Sequence, residues 1–253
     1  MNNIINHSKD IKTVLENKFD KFYKRLLKKK LVRICIYIEF IIFYPGLILA
    51  IIIANKSNPQ GFNLISNYIS DLGSVNFTTA PYIYNFIAIL TGIITIPIFL
   101  YLEEYISTSK SKRNKINLSP NLTKLLARLG KIIFLIGSFG LFGVGIFSED
   151  FLIFAIHVLF AVMAFGGFMV GGIITGFLII VQKTIFPKII GYYMAIYSLG
   201  LIILRFFHFI PIITLPLIEW IWFLGILIWL LPLTLFLLKH LYNSNKNQNN
   251  ENS

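Results

Sequence analysis

Charge is what this chain has least of. Only 13% of its 253 residues are Asp, Glu, Lys or Arg, against 56% hydrophobic, and mean hydropathy is +0.74. A soluble globular domain carries about 25% charged residues, so the deficit excludes an ordinary water-facing surface. Cysteine is nearly absent as well. With Cys35 alone, no intramolecular disulfide and no cysteine-based zinc site can form. Recognisable catalytic motifs are missing too: there is no HExxH, GxSxG, phosphate-binding loop or dinucleotide fingerprint. The last two apolar segments lack a lysine that could carry a retinal Schiff base before Lys239. Strict alternation of apolar and polar residues is also lacking, which argues against a β-barrel.

Long apolar runs are what is present. A bilayer core needs about 20 apolar residues per helix, and six segments meet this: Leu31–Ala54, Pro81–Leu102, Leu129–Phe147, Phe151–Val181, Ile189–Phe207 and Leu217–Leu238. The expected fold is an all-α integral membrane protein, a six-helix transmembrane bundle over residues 31–238. A basic amphipathic segment precedes it (1–30) and a disordered, asparagine-rich cytoplasmic tail follows (239–253). Within residues 11–30, apolar side chains recur at helical spacing from Ile11 to Leu27 opposite a lysine-rich face. That pattern predicts a helix lying on the membrane surface, or serving simply as an orientation signal. The first apolar run is too long for a cleavable signal peptide, and no small-residue cleavage site follows it.

A net charge of +12 is compatible with nucleic-acid binding, but its placement points elsewhere. Of the 23 Lys and Arg residues, 21 precede or open the first segment, lie between the second and third or at the start of the third, lie between the fourth and fifth, or follow the sixth; only Lys56 and Arg205 fall on the opposite side. The positive-inside rule then predicts a cell-membrane protein with both termini cytoplasmic. Its expected partners are membrane lipids and not nucleic acid.

Glycine is concentrated in the third and fourth segments. Gly167–Gly171 and Gly172–Gly176 form two GxxxG pairs, which predict close helix packing, either within a hairpin or in a homo-oligomer. In the first outer loop, residues 55–80, the spacing of Leu64, Ile65, Tyr68, Ile69 and Leu72 predicts a short interfacial helix capped by Gly73, with Asp71 in its last turn.

Asp71, Glu149, Asp150 and His157 are the candidate site. They stand at the edges of apolar segments on one predicted side, where an ionisable group is costly and usually has a partner or a task. Ser148 or Asp150 could cap the fourth helix. His157 follows Asp150 by seven residues, two helical turns, and would point the same way about 10 Å deeper. Two carboxylates and a histidine can relay protons, act as acid and base, or hold a divalent metal. Arg205 and Glu219 are expected to pair structurally. Glu39, nearer the cytoplasmic side, reads as a separate feature.

Several of these residues belong to recognisable motifs. The stretch Asn67–Tyr68–Ile69–Ser70–Asp71–Leu72–Gly73, then Tyr84–Asn85–Phe86 with Gly92, then Gly143 to Asp150, then His157 with Ala164–Phe165, resembles the prokaryotic membrane proteins catalogued as domain of unknown function 998. The likeness covers roughly residues 34–238. One departure is Ser148, where a proline often precedes the acidic pair. The resemblance implies six spans and a prokaryotic source. Ser70, Gly73 and Asn85 are expected to serve structure and packing. It implies no activity. A fainter, fold-level likeness extends to six-span eukaryotic proteins that remodel lipid anchors. Three functions stay open: a protein binding or processing a lipid or lipid-linked group, a small transporter, and an accessory protein whose polar cluster only locks the outer loop.

Overall fold

The computed structural model describes residues 16–18, 20–58, 61–108, 118–151, 153–204 and 213–251. The described residues are helices and their connections. We number the long helices α1 (Lys29–Ser57), α2 (Pro81–Thr108), α3 (Pro120–Ile146), α4 (Phe154–Val181), α5 (Lys188–Leu204) and α6 (Leu215–Glu251). Five of them, all but α5, are long and apolar enough to cross a membrane, so the chain is a multi-pass membrane protein. At 17 residues, α5 reaches about 25 Å along its axis. A short helical stretch at 20–26 precedes α1 and is largely exposed.

Two helix boundaries differ from the apolar runs for clear reasons. α3 starts nine residues before Leu129, because Ser119 caps it: its Oγ accepts from the Leu122 amide at 3.2 Å, and Pro120 occupies the first turn. α6 continues as helix to Glu251, through the segment whose composition predicts disorder.

α1 is not uniform. Residues Glu39–Phe43 form a π-helical turn. Pro45, two residues on, has no amide hydrogen to donate back into the helix and its ring crowds the preceding turn. Widening the helix by one residue absorbs that defect.

α3 and α4 form the tight hairpin that the glycines predict. A Cβ on Gly167 would lie 2.4 Å from the Cα of Gly137, and one on Gly140 would lie 2.3 Å from the Ala164 amide nitrogen. Gly171 sits under the Phe134 ring. The second pair turns the other way: Gly172 faces Ser198 and Gly176 approaches the Gly191 carbonyl, both on α5. One helix thus packs two neighbours closely, one glycine pair for each. The main core draws on all six helices; at its middle Phe99 stacks on Phe134 at 4.1 Å between ring centres and Trp229 closes beside it.

The loop between α1 and α2 does not form the expected interfacial helix. It makes a turn at residues 64–66 and a single 3-10 turn at Ser70–Gly73, and it folds inward. Asn67, Ile69, Ser70, Asp71 and Leu72 are all buried. Of the periodic apolar residues, Ile69 and Leu72 are buried against the bundle, whereas Leu64 and Ile65 stay exposed. Gly73 is needed for close approach and not for a left-handed cap. A Cβ there would meet the Asn85 Oδ1 at 2.2 Å, and Asn85 Nδ2 donates to the Gly73 carbonyl at 3.0 Å.

A candidate acidic cleft at the loop face

We call the end of the bundle that carries the 61–80 loop the loop face. Helix α6 and the residue that precedes it hold the loop there through polar contacts that the buried backbone requires. Trp220 Nε1 donates to the Asn67 carbonyl at 2.8 Å, Thr214 Oγ1 to the Ile65 carbonyl at 2.5 Å, and the Ile69 amide to Glu219 Oε1 at 3.1 Å.

The four candidate residues divide into two groups. Asp150 ties down the loop. Its carboxylate accepts from Ser74 Oγ at 2.6 Å, the Val75 amide at 2.9 Å and Asn76 Nδ2 at 3.3 Å. Asp150 does not cap α4, and neither does Ser148; Ile153 occupies the cap position without a side-chain bond. Asp71 also serves the loop. Its Oδ2 accepts from Asn67 Nδ2 at 3.1 Å and from the Tyr68 amide at 3.0 Å. Burial, reinforced by the neighbouring Glu149 carboxyl, pushes the Asp71 carboxyl up to about 7.

Glu149 and His157 belong together in a cleft of about 280 Å³ between α4 and α6. Ser70 Oγ donates to Glu149 Oε1 at 2.5 Å. His157 is 3% exposed; its Nδ1 lies 2.6 Å from the Phe147 carbonyl and its Nε2 3.8 Å from Glu149 Oε1. A proton on Nδ1 satisfies the carbonyl, which turns Nε2 towards the carboxylate and the cleft. The seven-residue spacing of Asp150 and His157 does not place them on one helix face, because Asp150 lies in the turn before α4, which begins at Phe154. What brings His157 to the acidic turn is its bond to Phe147.

Glu219 also belongs to the cleft. Arg205 and His208 lie outside the described residues, so the expected Arg205–Glu219 pair does too. Glu219 lines the cleft, with its Oε1 3.1 Å from the Ile69 amide and 3.5 Å from Ser70 Oγ. Ser70 therefore stands between two carboxylates from distant parts of the chain. The remaining walls are apolar, among them Val158, Ala161, Val162, Phe165, Ile218 and Trp222. Val158 is 42% and Val162 64% exposed on the flank of the bundle.

Glu39 is not a separate feature either. A second, narrower cavity of about 60 Å³ runs from Ser70 and Glu219 down to Glu39, past Thr91 and Thr95 on α2. A glutamate in an apolar run, six residues before a proline, is the signal in the sequence that could have marked it.

Among the described residues, no three His, Cys, Asp or Glu side chains are placed to hold one metal ion. The carboxylates are instead engaged with loop amides and hydroxyls, an arrangement suited to hydrogen-bonding a polar group. Fold and cleft together define a multi-pass helical membrane protein with an acidic, serine- and histidine-containing recess at one face. Comparison with protein families, curated proteins and solved structures finds no match to this chain.

Proposed function

We propose that the α4–α6 cleft binds or processes a lipid or lipid-linked group at the outer leaflet. The observation that carries this reading is the polarity of the cleft, which is one-ended. Ser70, Glu149, His157 and Glu219 cluster at its loop end, while its walls are apolar and reach the exposed flank at Val158 and Val162. An amphiphile has that same division. The described lining is rich in acceptors and contains no Lys or Arg, which favours a head group that donates, such as hydroxyls or an ammonium. In this reading α5 completes six spans, the basic segment before α1 lies on the cytoplasmic leaflet, and both termini are cytoplasmic, as the lysine and arginine distribution supports. The likeness to domain of unknown function 998 agrees with that layout. Asp71 and Asp150 then act by holding the loop that presents Ser70. A purely structural role is favoured for those two residues by their bonds to Asn67, Tyr68, Ser74, Val75 and Asn76.

Native mass spectrometry of the protein released from lipid nanodiscs tests the proposal. Wild type should retain an amphiphile that Val162→Trp, which fills the mouth, excludes and that Ser70→Ala holds less tightly. An identical lipid complement in all three proteins would defeat it.

A further inference from the structure

Glu39 is fully buried, and neither of its carboxyl oxygens has a hydrogen-bond partner among the described residues. An isolated carboxylate in such a place is so costly that it takes up a proton or acquires a partner. Its position is built rather than incidental: it opens the π-helical turn of α1, a distortion that often marks functional sites, and it forms the floor of the narrow cavity. That cavity and the outer cleft share four lining residues, Ser70, Ala161, Phe165 and Glu219. A carboxyl therefore stands at the junction of the two spaces and another at the blind end. The inner space is roomy enough for water by volume.

A metal cation fits the floor less well than a proton. The nearby Thr95 hydroxyl is already engaged, 2.9 Å from both the Thr91 carbonyl and Ser138 Oγ, so it is not disposed as an oxygen ligand. The other titratable groups around Glu39 are Cys35 and Tyr44 on α1, which feel its charge, Tyr84 on α2 and Glu219 on α6. Asp71 and Glu149 stand beyond Glu219. The rest of the lining, from α2, α3, α4 and α6, is uncharged.

We propose that Glu39 is a proton-binding site inside the bundle, loaded from the loop face by way of Glu219. A hydronium ion in the outer cleft protonates the Glu219 carboxylate. The proton passes on through water in the inner cavity, forming the O–H bond of Glu39 and restoring the Glu219 carboxylate. Only O–H bonds change. The proposal is independent of what the outer cleft binds.

A hydrophobic carbodiimide, which adds to protonated carboxyls in apolar surroundings, provides the probe. The full chain is reconstituted in sealed vesicles with separately buffered aqueous phases, and orientation is read from thiol access in a Val75→Cys variant. Labelling of Glu39, mapped by peptide mass spectrometry, should fall as pH rises on the loop face, by up to about tenfold per pH unit as for a single titrating group. Glu219→Gln and Ala161→Leu, which narrows the shared wall without removing a carboxyl, should each slow the response several-fold. In parallel, the infrared carboxyl band that disappears in Glu39→Gln should follow the same side's pH. Labelling or a band that follows the opposite side, or ignores both, overturns the proposal; so does absence of any band assigned to protonated Glu39.

Discussion

Asp71 holds its loop by accepting hydrogen bonds from Asn67 and Tyr68, yet burial beside Glu149 favours its protonated form. The folded protein then binds a proton that the unfolded chain, with an ordinary aspartate, releases near pH 4. Because the folded state holds the extra proton, this contribution to stability is complete below the unfolded value and is lost as pH rises towards and through about 7. Thermal unfolding in detergent should show Tm falling between pH 5 and pH 8 in wild type and a flatter profile in Asp71→Asn; equal slopes would remove Asp71 as the cause. Asp150 has the opposite character. It is exposed but anchors Ser74, Val75 and Asn76, so Asp150→Ala should cost about 1 kcal/mol. Limited proteolysis should then cut the 74–80 stretch faster, and unchanged cleavage would show that the loop is held elsewhere.

At the scale of elements, small residues decide how near the helices come. Gly140→Val would drive a side chain into the Ala164 backbone and should destabilise the hairpin by about 1–3 kcal/mol or more. Gly166→Ala, at a position with nothing within 4 Å, should leave Tm unchanged. A Gly140→Val protein as stable as Gly166→Ala would mean that α3 and α4 can part without penalty. This level was largely legible in advance. Apolar runs and glycine spacing depend on local sequence, and they located the long helices and the close hairpin. The loop was not legible in the same way. The period of Leu64 to Leu72 is shared by a helix on lipid and an irregular segment pressed into protein, and only contacts more than a hundred residues away, to Glu219 and Trp220, separate the two. The candidate site suffered likewise. His157 and Glu149 are near neighbours in sequence and were found; Glu219 and Glu39 join them only through tertiary packing.

At the scale of the whole molecule, charge asymmetry predicts a direction across the membrane. The exposed position Val75 lies in the loop that leads into α2, and the exposed Thr108 ends that helix. In a background lacking the buried thiol of Cys35, a membrane-impermeant maleimide should label Val75→Cys on intact cells and Thr108→Cys only after permeabilisation. The reverse result would invert the topology. The termini of the helices also differ in kind. The loop face is braced by carboxylate contacts, whereas the other end is joined by the Lys131–Glu103 pair at 3.1 Å and the Gln182–Thr123 bond at 2.7 Å. Those contacts link α2 to α3, and α3 to the end of α4, with no recess of the same size described between them.

If the cleft takes an amphiphile as proposed, the exposed flank at Val158 and Val162 sets how it is supplied. A molecule entering there comes sideways from within the leaflet and never crosses bulk water. Occupancy would then track the mole fraction of that molecule among its neighbouring lipids, and diluting the vesicles in buffer would leave it unchanged. Diluting the molecule with inert lipid would lower it.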